Sequence, residues 1–201
     1  MQPIPPVFFQ RPTIELAKTL LGCLLVKETE EGITSGYIVE TEAYMGPEDR
    51  AAHSFGNRRT KRTEIMFGEA GKVYTYQMHT HTLVNVVSGP IEIPQAVLIR
   101  AVEPHSGLDL MHQRRGTDNL NNLTNGPGKL TKALGITKED YGHSFSKPPL
   151  FIALGKTPTD ISVGPRIGIE NTGEAKDYPW RFYITGNPFV SHIRKTKTSK
   201  K

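Results

Sequence analysis

Cysteine is nearly absent from this chain of 201 residues, in which Cys23 is the only one. A disulfide framework within the chain is therefore excluded. Because Cys23 lies in the apolar run 20–26, we interpret it as a buried, inert thiol in a reducing compartment. That run is far shorter than the roughly 20 residues that cross a bilayer. The N-terminus lacks a basic segment followed by an apolar one, so we expect no signal peptide, no membrane association and a cytoplasmic location.

The excess of positive charge is confined to the C-terminal end of the chain. The chain has 25 basic and 20 acidic residues, a formal net charge of +5, but residues 194–201 hold five of the basic ones and no acid. The remaining chain is neutral, so global charge alone does not indicate a nucleic-acid partner. We expect residues 1–193 to form the folded domain and residues 194–201 to form a disordered basic tail.

The pattern of elements predicts the fold class. The 19 glycines and 15 prolines are spread along the chain and favour many short elements. Apolar spacing predicts helices near 11–21, 107–113 and 128–134, and one or two helical turns at 47–53. Strands are predicted at 24–27, 35–44, 72–77, 81–87, 96–102, 151–154, 160–169 and 181–185. Helices and strands do not alternate regularly, so we expect a single α+β domain with a curved, mainly antiparallel sheet and surrounding short helices.

The predicted strand 36–44 carries the first candidate chemistry. Alternation places its even-numbered residues from Ile38 on one face, including Glu40, Glu42 and Tyr44, and leaves the odd-numbered ones toward the core. These carboxylates fit either a solvated face of ion pairs or a site that orients and deprotonates a water. Arg100, in an apolar strand, either pairs with one of them, because an unpaired buried charge is costly, or projects to solvent from an edge strand.

A cluster of four cations follows at residues 57–62, formed by Arg58, Arg59, Lys61 and Arg62. Such a cluster fits either a loop that grips phosphates or a solvated charged surface.

The segment 74–81 combines aromatic and imidazole side chains. Tyr74 and Tyr76 share a strand face, a stripe that is more often core than a ligand site. Met78 and His79 occupy the turn that follows, where a bulky residue can wedge between base pairs. His79 and His81 also suggest a metal, but no third ligand stands at a typical short spacing, so we expect no metal site.

Several short motifs occur in order along nearly the whole chain. They are VETEAY at 39–44, GPED at 46–49, AAHS at 51–54, YTY at 74–76, LIRAVEP at 98–104, GPGKL at 126–130, RIGI at 166–169 and RFYI at 181–184. No single motif is decisive, but the ordered set is specific. It resembles the alkyladenine (3-methyladenine/methylpurine) DNA glycosylase family.

This resemblance implies an enzyme of base-excision repair. Such an enzyme flips a damaged purine nucleotide from double-stranded DNA and hydrolyses its N-glycosidic bond. Family substrates include 3-methyladenine, 7-methylguanine, hypoxanthine and ethenoadenine. We expect a monomer without a cofactor, associated with the nucleoid if the source is bacterial. No lysine falls in the matched pocket set, so Schiff-base chemistry and strand cleavage are not indicated.

The resemblance also implies roles for individual residues. Glu42 matches the general base that acts on the attacking water, and Arg100 matches the arginine that helps to hold Glu42 and the water. The expected base pocket has two stacking aromatics, a residue that closes it with a hydrogen bond, and a residue that disfavours the amino group of guanine. These positions are Tyr44 and Tyr76, His53, and Asn85 respectively.

One departure concerns the hairpin tip, where the family often has a tyrosine that fills the gap left by the flipped base. From Tyr76 to Asn85 this chain is one residue shorter, so Met78 or His79 falls near that position, and we favour His79. Two other functions stay open. One is a non-catalytic binder of damaged DNA, and the other is a metal-dependent hydrolase that uses Glu40, Glu42 and histidines.

Overall fold

The computed structural model describes residues 1–191, and the predicted basic tail at 194–201 lies outside them. Within this range the chain forms three α-helices: α1 (Thr13–Thr19), α2 (Leu108–Arg115) and α3 (Pro127–Leu134). Eight strands accompany them: β1 (Leu24–Thr29), β2 (Gly32–Tyr44), β3 (Val73–Met78), β4 (His81–Ser88), β5 (Gln95–Ser106), β6 (Leu150–Ala153), β7 (Ile161–Gly164) and β8 (Arg181–Ile184).

The strands form one curled sheet in which neighbouring strands run antiparallel. The order is β3-β4-β5-β2-β1-β6, with β8 beside the second half of β2 and β7 beside β8. The central strand, β2, therefore has β5 along one edge and first β1, then β8, along the other. The predicted α+β class with a curved antiparallel sheet is confirmed.

The three helices pack on one side of this sheet. Leu16 of α1, Met111 of α2 and Leu130 of α3 join Ile38 and Ile99 of the sheet in the main hydrophobic core. A proline precedes or begins both α1 and α3, where its fixed φ suits the first helical turn. A smaller cluster that includes Met66, Tyr74, Val87 and Ala96 lies apart from this core.

The predicted alternation along β2 holds only in part. The register is irregular on both sides of Glu40, and Ile38 and Ala43 both enter the main core. Val39 instead packs in a separate cluster with Ala101 and Phe189. The interpretation of the acidic face as solvated is wrong, because β2 is buried from residue 38 to residue 43 on both faces. The physical reason is that Ile167 and residues 189–191 cover the second face.

The predicted strand at 160–169 is too long. The structure ends β7 at Gly164, and Pro165, which has no N–H to donate to a ladder, takes the chain out of the sheet. Gly168 then adopts a left-handed conformation with φ of 80°. Residues 166–169 consequently lie beside β2 instead of extending β7.

Candidate active site

Glu42 lies on β2 between β5 and β8, with its side chain fully buried. Its Oε1 accepts a hydrogen bond of 2.8 Å from the backbone N–H of Ile167 and lies 3.3 Å from Nη1 of Arg100. Its Oε2 accepts a hydrogen bond of 2.9 Å from the Tyr44 hydroxyl. An ionised carboxylate has about four lone-pair positions. Among residues 1–191, two hydrogen bonds and one ion pair are made to these positions.

Arg100 pairs with both strand glutamates. Its Nε donates to Oε1 of Glu40 at 3.1 Å, while Nη1 faces Glu42. Arg181 adds a second cation, because its Nε donates to the same Glu40 oxygen at 2.6 Å. The predicted pairing of Arg100 is confirmed, and the solvent-facing alternative is wrong because β5 lies inside the sheet. Burial acts to lower the pKa of Arg100, but the two glutamates outweigh it and the net shift is upward.

A cavity of about 250 Å³ opens next to this cluster. The four residues expected to form a base pocket all line it: Tyr44, His53, Tyr76 and Asn85. The rings of His53 and Tyr76 meet edge to face, with centroids 4.5 Å apart. Asn85 is buried on β4, and its Nδ2 donates to the backbone carbonyl of Tyr74 at 3.0 Å, which fixes the orientation of the amide.

A second cavity of about 380 Å³ adjoins the first and shares Tyr44 and Tyr76 with it. All three hydrogen-bond or ion-pair partners of Glu42 line this second cavity, namely Tyr44, Arg100 and Ile167. The carboxylate thus lies directly behind the wall of an open space that continues into the aromatic pocket.

His53 is held as a neutral imidazole. Burial, and then the nearby Arg62 and Arg58, lower its pKa to about 4. Its Nδ1 lies 2.7 Å from the hydroxyl of Tyr74, a residue for which sequence reasoning assigned no site role. Burial also raises the pKa of Tyr76 to about 12, so its phenol is protonated at neutral pH. The cavity wall therefore offers neutral donors and acceptors together with aromatic faces.

A buried ion pair behind Tyr44 was not predicted from the sequence. Arg166 donates through Nη1 and Nη2 to the two carboxylate oxygens of Asp49, at 2.5 and 2.8 Å, and neither side chain is exposed. The guanidinium carbon lies 4.6 Å from the ring centroid of Tyr44 and 5.0 Å from that of Trp180. Asp49 also accepts from the backbone N–H of Ala51. The pair therefore joins the loop that follows β2 to the loop that follows β7, and both loops line the cavity.

The sequence contained a signal for this loop. Pro165 follows Gly164 and precedes Arg166 and Ile167, and proline inside a predicted strand argues that the strand ends there. A strand that stops at 164 frees the Ile167 N–H to bind a group outside its own ladder, which is the bond to Glu42. What the sequence could not show is that this loop returns to β2, because that depends on the pairing of β8 with β2.

The β3–β4 hairpin carries the candidate wedge residues. Met78 pairs with His81 at the end of the ladder, so His79 and Thr80 form the turn. His79 has a left-handed backbone with φ of 55° and is exposed, whereas the half-exposed Met78 lines both cavities. The hairpin thus places Met78 at both cavities and His79 at the second one.

Comparison with known proteins supplies the family. The family model described as methylpurine-DNA glycosylase matches residues 7–188. The chain belongs to the methylpurine-DNA glycosylase family. The protein is therefore a DNA glycosylase, an enzyme of DNA repair that binds DNA.

Individual relatives agree with this family. A protein of Bacillus velezensis with the provisional name 3-methyladenine DNA glycosylase is 68% identical over 190 residues, which cover 94% of this chain and 97% of the relative. A Bacillus subtilis protein of the same provisional name is 67% identical over 189 residues, covering 94% and 96%. One from Listeria monocytogenes is 49% identical over 191 residues, covering 94% and 92%.

The four cations at 57–62 are all exposed in this methylpurine-DNA glycosylase family member, but they are not equivalent. Arg59 lies 2.7 Å from Glu64 and 2.8 Å from Glu92, and its guanidinium covers the ring of Phe67. Arg58 and Arg62 instead lower the pKa of His53, which lines the aromatic cavity. The charge cluster therefore contains one arginine tied to glutamates and two arginines whose charges act on a residue of the site.

Among residues 1–191, no group of three or more histidine, cysteine, aspartate or glutamate side chains is arranged to hold a metal ion. In the same part of the chain, no helix is both long and apolar enough to cross a membrane.

Proposed function

We propose that this glycosylase flips damaged purine nucleotides out of duplex DNA and hydrolyses their N-glycosidic bond with a water that Glu42 activates. The proposed substrates are 3-methyladenine, 7-methylguanine, hypoxanthine and ethenoadenine. The observation that carries the proposal is a fully buried carboxylate whose partners Tyr44, Arg100 and Ile167 line an open space that adjoins an aromatic cavity. A glutamate in that place is costly to bury and serves no need of a protein that only binds.

The aromatic cavity suits a purine. Tyr44 and Tyr76 supply electron-rich rings, which attract alkylated purines that carry a positive charge. Neutral His53 supplies a hydrogen-bond partner without placing a second positive charge beside such a base. Asn85, whose amide is fixed by its bond to Tyr74, is proposed to oppose the exocyclic amino group of guanine.

In the reaction, the water oxygen bonds to C1′ of the sugar while the bond from C1′ to the purine nitrogen breaks. The electron pair of that bond leaves with the purine, and Glu42 accepts the proton of the water. Its negative charge also favours an oxocarbenium-like sugar. Arg100 holds the carboxylate and balances its charge. The products are a free base and an abasic sugar.

The proposed enzyme is monofunctional, because none of the described residues that line the aromatic cavity is a lysine. Lys129 lines the adjoining cavity, where its Nζ donates to the side-chain oxygens of Asn122 and Asn125. An abasic product that breaks only after alkali treatment is the expected result.

DNA binding is proposed to involve the hairpin and the cationic loop. Met78 and His79 at the hairpin tip fill the space that the flipped nucleotide leaves, with His79 the favoured residue. The cations at 57–62 for which the described part of the chain shows no glutamate partner bind the phosphate backbone. These are Arg58, Lys61 and Arg62, whereas Arg59 is proposed to support the loop through Glu64 and Glu92.

The test is single-turnover excision from a labelled duplex that contains one hypoxanthine, with a chelator present throughout. The Glu42→Gln variant removes the proton acceptor but keeps the shape of the side chain. We expect its rate to fall by roughly 100-fold or more, with lesion binding retained. Glu15→Gln, an exposed change on α1 far from the cavity, is the matched control and should cleave at the wild-type rate.

Each alternative function predicts a different result. Turnover by Glu42→Gln at the wild-type rate would refute the role of Glu42 as general base. Loss of wild-type activity on adding chelator would favour a metal-dependent hydrolase. If hypoxanthine, 3-methyladenine and 7-methylguanine all stay intact while lesion duplexes bind, the protein is a binder of damaged DNA.

A further inference from the structure

The last described residue, Ser191, lies on the buried acid–base cluster behind Glu42. Its backbone N–H donates to Oε2 of Glu40 at 2.7 Å, and its hydroxyl donates to Oε1 of Glu40 at 2.8 Å. Arg100 donates through Nη2 to the Ser191 hydroxyl at 3.4 Å, and Arg181 donates to the Ser191 carbonyl at the same distance. Ser191 therefore contacts three of the four charged side chains in this cluster.

These contacts bear on how Arg100 is oriented. Its planar guanidinium is held along three directions: Nη1 faces Glu42, Nε donates to Glu40, and Nη2 donates to Ser191. Glu40 in turn takes its position from Arg181 and Ser191. A fixed guanidinium gives Glu42 a fixed orientation, and small misplacements of reacting groups reduce rates strongly.

We propose that Ser191 is a positioning residue for the glycosylase reaction, acting on Glu42 through Glu40 and Arg100. The proposal rests on the proposed role of Glu42. Ser191 touches neither cavity and lies beyond residue 188, where the family match ends. It contributes the hydroxyl and the backbone N–H that complete the hydrogen bonding of Glu40.

The segment that carries Ser191 is fastened by separate contacts, and these provide a control. Phe189 packs on Val39 and Ala101, and its backbone N–H donates to Oδ1 of Asn187 at 2.9 Å. Nδ2 of Asn187 donates to Glu103 at 2.7 Å. Asn187→Ala therefore loosens the same segment without removing a contact to Glu40 or Arg100.

The experiment compares Ser191→Ala, Ser191→Thr and Asn187→Ala in the full chain. Single-turnover excision of hypoxanthine gives the chemical rate, and binding to a duplex with a tetrahydrofuran abasic analogue gives lesion affinity. We expect Ser191→Ala to lower the rate roughly tenfold with affinity nearly unchanged. Ser191→Thr keeps the hydroxyl and should recover most of the rate, and Asn187→Ala should react like the wild-type protein.

Two results would overturn the proposal. One is a wild-type rate in Ser191→Ala. The other is an equal loss of rate in Ser191→Ala and Asn187→Ala, which would show that general order of the segment is what matters. Glu42→Gln, measured in parallel, separates this failure from that of the proposed function: an inactive Glu42→Gln with a fully active Ser191→Ala refutes only the role of Ser191.

Discussion

At the scale of single residues, pairing with positive charges explains how two carboxylates can be buried inside this sheet. Glu40 and Glu42 are fully buried, a state that costs several kcal/mol per ion unless the charges are paired. Arg100 and Arg181 supply equal positive charge, and Glu40 takes the shorter contacts with both of them. Glu42 keeps only the longer contact with Arg100, at 3.3 Å. The less fully bound carboxylate is therefore the one beside the cavity, which is where a proton acceptor is needed.

The low pKa of His53 gives a residue-scale prediction. Burial is the larger cause and the charges of Arg62 and Arg58 add to it. The double variant Arg58→Gln/Arg62→Gln should raise the pKa of His53 from about 4 by roughly one unit, still below its ordinary value of 6.5. NMR titration of the ring protons measures this shift. Arg59→Gln, which is not among the causes, is the control. An ordinary pKa for His53 in the wild-type protein would contradict the prediction.

The same shift sets a pH dependence of stability. Because the folded pKa of His53 lies below the unfolded one, the unfolded chain binds the proton more readily. The contribution of His53 is therefore complete above about pH 6.5 and is lost as the pH falls toward 4. At neutral pH His53 is uncharged, so it does not repel a cationic base in the cavity.

Residue identities were predictable where they form local motifs. Glu42, Tyr44 and His53 lie in one short segment, and Tyr76, Asn85 and Arg100 follow in motifs that resemble the family. The structure brings these six together around one site. Ser191 and Arg166 were not assigned roles, because their partners Glu40 and Asp49 are more than 100 residues away in the chain. Only the pairing of β8 with β2 brings such distant residues together.

At the scale of elements, β2 and the loops at its end position the residues of the candidate site. The strand positions were well predicted because β-branched and aromatic residues dominate them, but the acidic face fitted either a solvated surface or a site. Local alternation could not decide between these, because it does not reveal what covers a face. Here Phe189, Ser191 and Ile167 cover it, and all three come from the far end of the chain.

The Asp49–Arg166 pair gives the prediction at this scale. Asp49→Ala leaves the buried guanidinium of Arg166 without its partner and should destabilise the protein by about 3–5 kcal/mol. Arg59→Gln breaks an exposed, solvent-screened pair and should leave the free energy of unfolding nearly unchanged. Urea unfolding of both variants measures the difference. Equal costs would show that the buried pair does not hold the two loops. We also expect Asp49→Ala to weaken lesion binding, because Tyr44 lies against Arg166.

At the scale of the whole molecule, the main hydrophobic core and the candidate site occupy different parts of the fold. The helices and the main core lie on one side, where apolar packing dominates. The aromatic cavity, the hairpin tip and the cationic loop gather away from that core. Sequence reasoning predicted the fold class, but the net charge alone does not indicate how the protein binds DNA. Residues 1–193 are neutral overall, and within the described residues Arg59 pairs with glutamates, whereas the charges of Arg58 and Arg62 lower the pKa of His53.

Salt dependence of DNA binding tests that distinction. Each phosphate contact on B-DNA adds about 0.9 to the slope of log K against log salt concentration, because a bound counterion is released. Arg58→Gln/Arg62→Gln should therefore weaken binding to all duplexes and reduce the slope by about 2. Arg59→Gln removes the same kind of charge from the same loop, but its guanidinium already binds Glu64 and Glu92. The slope should therefore change by less than the amount expected for one phosphate contact.

Fluorescence anisotropy on an undamaged duplex between 50 and 200 mM salt, roughly the range over which such contacts dominate affinity, measures both slopes. If Arg59→Gln lowers the slope by about 0.9, the amount expected for one phosphate contact, then Arg59 must leave Glu64 and Glu92 and contact phosphate when DNA binds. If neither variant changes the slope, the loop does not contact phosphate.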